Sequence, residues 1–576
     1  MKAPMLSLPF LLTIAAALTF LCSCGGGGEE DDDNGSSVDT GPAFTDVTAE
    51  SGIVLRNVSG SAEKKMAIPE NIGQGAAVLD FDGDGDLDLF IANGDAFPGT
   101  KVTTTRHCAL YRNDGGFKFT DVTQAAGLAF DGWAHGATAV DFDADGKPDL
   151  YVTCYGRKNL FFHNLGDGKF EDVSSQWGGD DPGPSTACAF FDADGDGDLD
   201  LYVGNYVHYD PENPPNHGNP CVWKELLVSC GPRGTTPGED RFYENTQGKL
   251  VDQTKKFGFL AKPTYTLGTV TGDFDNDGDV DLYVANDSAA NYLFENHGGG
   301  KFKQAAVRYG CDMNTNGQPQ AGMGVDFGDV DNDGRFDLFV TNFSHDYNTL
   351  YRNEATKSGR TSFRDNTYEM MLGDASFRYL SWGTRIVDID QDGWQDIIAV
   401  SGHVYPQVDG ANKDTSYAQH NQLFLNRGPG DNGRVKFEII SNDTPGWDKK
   451  GVSRGLITWD LDDDGDQDLF IVELDQTPTL LRNDTPARGA WIGLRLKGAA
   501  KNRDAIGARV TITDSSGITR YRERTSGASF LSSCDPRLVC GLGSAKGKAK
   551  VEVRWPSGKR SEYELAAGQY HDPAEE

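Results

Sequence analysis

The chain has 576 residues, 53 Lys and Arg against 87 Asp and Glu, a net charge of −34, 71 glycines and 38% hydrophobic residues. That balance excludes a basic nucleic-acid binder, because a strongly negative surface repels phosphate. One apolar run, at the N-terminus, excludes a polytopic membrane protein, while the hydrophobic content is too high for a disordered chain.

Residues 1–23 have the layout of a secretory signal: a short charged start, an apolar run from Leu6 to Leu21, then Leu21-Cys22-Ser23-Cys24. The Leu-x-Ser-Cys ending resembles a bacterial lipobox and implies lipidation of Cys24, which makes the protein an exported lipoprotein. It would face the periplasm or the outside, held to the membrane by that lipid alone. Residues 24–43, with four glycines and the acidic run Glu29 to Asp33, form a flexible tether.

From residue 44 to 485 the pattern Asp-x-Asp-x-Asp-Gly-x-x-Asp occurs seven times, beginning at Asp80, Asp141, Asp192, Asp273, Asp329, Asp388 and Asp460. A short Gly-containing apolar segment precedes each copy and an alternating one follows, so each copy reads as the loop of a β-hairpin. Two further pieces recur: a strand ending in Asn, as in Leu110 to Asn113, and a Phe-x-Asp-like strand, as at Phe44 and Phe119. Four strands per repeat is the content of a propeller blade. The Phe44 piece precedes the first loop, and no such piece follows the seventh. The N-terminal strand is therefore expected to complete the last blade and close a seven-bladed ring without an open edge.

Positions 1, 3, 5 and 9 of each loop are carboxylates, position 6 is Gly, and position 7 varies freely, as expected if it offers only its backbone carbonyl. The expected ligands are Asp80, Asp82, Asp84, Asp86 and Asp88 in loop 1, then Asp141, Asp143, Asp145, Lys147 and Asp149 in loop 2. Loop 3 supplies Asp192, Asp194, Asp196, Asp198 and Asp200, and loop 4 Asp273, Asp275, Asp277, Asp279 and Asp281. Loop 5 supplies Asp329, Asp331, Asp333, Arg335 and Asp337, and loop 6 Asp388, Asp390, Asp392, Trp394 and Asp396. Loop 7 supplies Asp460, Asp462, Asp464, Asp466 and Asp468. An all-oxygen set of this kind suits Ca²⁺, up to seven ions, rather than zinc or copper. An EF-hand is excluded because position 12 is apolar in every copy (Ile91, Val152, Val203, Val284, Val340, Ala399, Ile471) where a bidentate Glu would be required.

These repeats resemble the FG-GAP (VCBS) repeats of integrin α-chain propellers, and the resemblance implies calcium in the hairpin loop of each blade. After Pro486 the chain turns basic and strand-like. The segments Asn502 to Val510, Gly541-Leu542-Gly543 and Val551 to Gly558, within residues 489–566, look like the ASPIC/UnbV module that follows such repeats in the cartilage acidic protein family. The fold expected is all-β: a seven-bladed propeller with a C-terminal β-sandwich-like domain.

Cys221 with Cys230 is the best disulfide pair, and Cys534 with Cys540 the next. Cys154 with Cys188, and Cys108 with Cys311, are further possibilities. The loops opposite the acidic ones hold the two large insertions and His208, His217, Trp223, Arg233, His345, His403, Tyr405 and His420, a candidate ligand face and a possible His-containing metal centre. No catalytic motif is present. The leading reading is a monomeric, lipid-anchored, calcium-binding propeller that binds an extracellular protein or glycan. The alternative is a calcium-dependent enzyme on the same scaffold, such as a polysaccharide lyase.

Overall fold

A computed structural model describes residues 41–576 apart from 62–64, 96–107, 356–360, 412, 431–432, 487–488 and 500. The signal, Cys24 and most of the tether lie outside the described residues. Among these residues no helix is long and apolar enough to cross a membrane.

The repeats form seven four-stranded antiparallel sheets. The first runs Ala76–Leu79, Asp88–Ile91, Ala109–Asn113 and Phe119–Asp121 from axis to rim, and the fourth runs Thr266–Gly272, Asp281–Asn286, Tyr292–Asn296 and Phe302–Gln304. Each innermost strand packs against the next around the circle, and the first touches the innermost strand of the seventh sheet, Ser453–Trp459. Phe44–Asp46 pairs with Thr479–Asn483, in the register Phe44↔Asn483, and becomes the rim strand of that seventh sheet. The molecule is thus an all-β propeller whose ring is sealed by its own N-terminus.

The glycines of the innermost strands have a steric cause. A Cβ on Gly268 would lie 2.2 Å from the Met323 carbonyl oxygen of the neighbouring sheet, and one on Gly75 would lie 1.9 Å from the Leu531 carbonyl oxygen. The strands therefore approach the axis and each other as closely as backbone allows.

Leu531 belongs to the C-terminal domain. That domain is a sandwich of a four-stranded sheet (Thr519–Glu523, Arg509–Thr513, Lys548–Arg554, Arg560–Ala566) and a three-stranded one (Leu538–Gly543, Ala490–Leu494, Tyr570–His571). Ile492, Leu494, Val510, Ile512, Val551, Val553 and Trp555 form the core between them. Between Glu523 and Leu538 the chain leaves the sandwich, and Ser526 to Ser533 enters the hub of the propeller. It bridges Ala77 through Ser533, Val270 through Gly527 and Val325 through Ser529. It also bonds Phe190 N–H with the Ser526 hydroxyl at 3.0 Å, Ala137 N–H with the Leu531 carbonyl at 3.4 Å and the Leu456 carbonyl with the Ser529 hydroxyl at 2.8 Å. Phe530, fully buried, meets Trp382 edge-on at 5.0 Å. Every innermost strand touches this segment.

Cys221 and Cys230 are disulfide-bonded, as expected. The other pairings are corrected: Cys108, Cys154, Cys188, Cys311, Cys534 and Cys540 are free thiols. Cys534 follows directly on the hub segment with its thiol toward the Leu456 carbonyl, whereas Cys540 is in the sandwich core, so the short spacing does not bring them together. Cys108 and Cys311 belong to different hydrophobic clusters, as do Cys154 and Cys188.

Candidate cation sites on the acidic loops

All seven loops share one hydrogen-bonded frame. Position 4 takes a left-handed conformation in every copy (Gly83, Ala144, Gly195, Asn276, Asn332, Gln391, Asp463), as does the position-6 Gly, and these two residues curl the loop. Oδ2 of the position-1 Asp accepts the N–H of that Gly at 2.9–3.1 Å each time. The position-9 Asp is buried in all copies. Its Oδ2 accepts the N–H of position 2 at 2.8–3.2 Å. Its Oδ1 accepts the N–H of the strand-ending Asn at 2.7–2.8 Å.

The sequence marks that Asn only as a strand end, but its role is architectural. The Nδ2 of Asn164, Asn296, Asn353, Asn426 and Asn483 donates to the position-2 carbonyl of an earlier loop (Phe81, Ala193, Phe274, Val330 and Ile389) at 2.7–3.1 Å. Each of these Asn residues therefore ties its own cage to the neighbouring one.

The donor set fits a hard cation. Carboxylate oxygens of Asp80, Asp82 and Asp88 lie within 4.8 Å of one another, as do those of Asp192, Asp194 and Asp200, and of Asp273, Asp275 and Asp281. Oδ1 of Asp82, Asp141, Asp388 and Asp466 is buried without a hydrogen-bond partner. Burial and neighbouring carboxylates, outweighing the backbone N–H bonds, push Asp88 up to about 8. Burial, with the Asp331 and Asp333 carboxylates beside it, lifts Asp329 to about 7, and burial followed by the neighbouring carboxylates lifts Asp466 to about 10. Buried carboxylates crowded in this way need a counter-charge. When bound, a divalent ion supplies that charge and an oxygen-coordinating centre.

The loops differ in the counter-charges the protein provides. In loop 5, Arg352 pairs with Asp331 and Arg335 with Asp333. In loop 6, Arg427 Nη1 lies 2.8 Å from Asp390 Oδ2. Arg352 and Arg427 lie on the strand beside Asn353 and Asn426, a relation hidden by sequence distance. Arg335, expected to act through its carbonyl, thus brings its guanidinium to the loop as well.

The C-terminal domain sits on this same face. Its Arg554 lies 2.5 Å from Asp273 Oδ2, its Tyr570 hydroxyl donates to Asp460 Oδ2 at 2.6 Å, and its Gly541 N–H donates to Asp388 Oδ2 at 3.1 Å. In the other direction, Asp504, Glu523 and Asp535 accept the backbone N–H of Asp141, Asp273 and Asp460 at 2.8–3.2 Å. Lys501 pairs with Asp198 at 2.6 Å.

At the other end of the innermost strands, residues of the two insertions and of the segment before the first sheet form one apolar cluster around the hub. Ile68, Ile72, Tyr206, Val228, Val404, Tyr405 and Val408 pack on Leu267, Met323 and Trp382, with Phe530 beneath. Of the candidate face residues, Trp223, His345, His403 and Tyr405 come together, with Trp223 ring centroids 5.1–6.0 Å from the other three. His403 is buried, its Nδ1 accepting the Tyr405 N–H, and burial holds its pKa down at about 3. The remaining candidates lie apart. His208 lines a cleft of about 460 Å³ with Tyr155, Arg157 and Tyr209. His217 sits in an exposed turn, Arg233 reaches the Ser288 carbonyl, and His420 faces Lys450, Asp448 and Asp443.

Fold and loops together define an FG-GAP-like propeller. The FG-GAP-like repeat family matches residues 80–152, 141–203, 273–340 and 329–399, and the ASPIC and UnbV family matches 498–572. The chain is similar to cartilage acidic protein 1, which has the same domain architecture: 25% identical to the Homo sapiens protein over 545 residues, covering 88% of this chain and 72% of that one. Against the Xenopus tropicalis protein it is 23% identical over 530 residues, covering 87% and 73%. Among solved structures, an Agrocybe aegerita lectin that recognises non-reducing terminal N-acetylglucosamine aligns with a TM-score of 0.36 at 17% identity, over 64% of this chain and 80% of that one. Trypanosoma rangeli sialidase aligns with a TM-score of 0.32 at 10% identity, over 77% and 59%.

Proposed function

We propose that the protein is an exported, calcium-binding propeller, anchored by lipid at Cys24, whose insertion face docks an extracellular protein or glycan. One observation carries the docking surface. The insertion of the third sheet folds into the hairpin Cys221–Trp223 and Leu226–Val228, in which Val222 and Leu227 face each other across the strands. They are 69% and 63% exposed, side by side. The hairpin is braced by the disulfide, seated through Trp223, and tied by Lys224 to His345 (2.6 Å) and by Glu225 to Lys413 (3.0 Å). A rigid apolar pair on a hairpin packed against this cluster is suited to recognition, because little ordering entropy is lost on binding. The cleft beside His208 adds Tyr155 and Tyr209 as stacking surfaces for a sugar ring.

The test is a panel of purified extracellular proteins and glycans presented to the full chain and to V222S/L227S. Binding that weakens at least tenfold in the variant, with an unchanged melt, supports the reading; binding unaffected by the variant overturns the assigned surface. Calcium is read separately. At calcium one hundred times above its dissociation constant, each site contributes about 2.7 kcal/mol by mass action. EDTA should therefore lower the melting temperature sharply, and an unchanged melt would remove calcium from the account.

A further inference from the structure

The second loop departs from the other six. At the strand position before the Asn, the others carry Arg112, Glu244, Glu295, Arg352, Leu425 and Arg482, and the second carries His163. The His163 imidazole turns into the loop. Its Nδ1 lies 3.0 Å from Asp149 Oδ1 and 3.6 Å from Asp143 Oδ2, and the three residues bring ligand atoms within 4.8 Å of one another. Asp141 joins them through Asp143, with which it shares a second such group, and it is 4% exposed with an Oδ1 that has no hydrogen-bond partner. The fifth-position carboxylate is occupied in another way, since Lys147 pairs with Asp145. Trp177, its ring centroid 5.0 Å away, holds the imidazole in place.

We infer that loop 2 is a site for a divalent first-row transition ion, with His163, Asp149, Asp143 and Asp141 as ligands, set apart from calcium loops elsewhere in the ring. This rests on the propeller-loop reading above and sharpens it for one site. The chemistry points one way. Calcium takes oxygen ligands at 2.3–2.6 Å, whereas an imidazole nitrogen suits zinc, iron, copper or nickel. Ligands about 2.0–2.2 Å from a common ion stand about 3.0–3.5 Å apart, which the 3.0 and 3.6 Å separations from Nδ1 to the two carboxylates approach without rearrangement. Lys147 removes one oxygen donor from a calcium cage at this loop, and the imidazole adds a nitrogen in its stead.

The experiment uses the full chain, stripped with EDTA, resaturated with millimolar calcium, and titrated with Co²⁺ and then Zn²⁺. One equivalent of Co²⁺ should give a visible d–d band that Zn²⁺ quenches. Because outer-sphere partners alone cost ten- to a hundredfold in affinity, H163Q should weaken binding at least about a hundredfold. H163D, which restores an oxygen donor, should lose the band and gain one equivalent of calcium by elemental analysis, and this second variant separates ligand loss from misfolding. H208Q should leave the band intact. No band in the calcium-loaded protein, or an undiminished band in H163Q, overturns the assignment. A band together with no bound calcium sustains the assignment and removes the calcium reading instead.

Discussion

Replacing Phe530 by Ala tests whether propeller and C-terminal domain are one cooperative structure. Phe530 is fully buried at the hub and meets Trp382 edge-on at 5.0 Å and 64°. Phe→Ala in such a setting costs about 3–5 kcal/mol, to which the lost aromatic pair contributes about 0.5–1.5 kcal/mol. The hydrogen bonds of the same segment to the innermost strands run through its backbone and serines, so the substitution leaves them available. In urea, the midpoint should fall by the equivalent of about 3–5 kcal/mol with little change in slope, because the surface exposed on unfolding is nearly the same. Amide exchange in Thr266–Gly272 and Val325–Gly328, which carry bridges to the segment, should accelerate together with exchange in the sandwich. If the sandwich loosens while the seven sheets keep their full protection, the hub segment is an ornament and the reasoning fails.

Two further expectations follow from the cages and the hub. Asn296→Ala removes an amide that donates to Ala193 and Val280 carbonyls at 3.0 and 3.2 Å, leaving buried acceptors unpaired. At about 1–3 kcal/mol for such a loss, the melt should drop measurably even with calcium saturating, and a variant as stable as the parent would refute the inter-sheet tie. His135 is buried with Nδ1 at the Ser185 carbonyl, and burial, only partly opposed by that contact, holds its pKa at about 4 against an ordinary 6.5. Above about 6.5 the imidazole is neutral folded and unfolded. As pH falls from 6.5 toward 4, only the unfolded chain takes up the proton, so this residue removes about 1.4 kcal/mol of stability per pH unit. Denaturation of the parent and of His135→Gln between pH 7 and 4.5 isolates the effect; parallel curves would refute it.

The propeller could be read in advance because each sheet repeats three local signals: an acidic hairpin loop, a strand-ending Asn and a Phe-led rim strand. Their offset by one strand also foretold the pairing of Phe44–Asp46 with Thr479–Asn483. The hub segment escaped because Ser526-Gly527-Ala528-Ser529 has no periodicity and reads as a surface loop; its burial is conferred entirely by the ring around it. For the same reason Cys534 was paired with its neighbour in sequence, although it ends inside the propeller. Within the cages, the carboxylates were legible from spacing, but His163, Arg352 and Arg427 were not. They reach the loops from a strand or turn two elements later, a relation set by sheet pairing. Position 9 was read as a ligand alone, yet its two oxygens also hold the loop to its own sheet and to the third strand.

The hub has a consequence for biosynthesis. The bond between Ala76 N–H and the Ser532 hydroxyl spans 456 residues, and the ring seal joins Phe44 to Asn483. Contacts of such separation form late and slowly. A chain emerging from its N-terminus makes hairpins as it goes, but the axle on which they turn is translated after nearly all of them. Until residue 533 has been made, the innermost strands have nothing to close on, and a chain that stalls short of it is left with seven spokes and no axle.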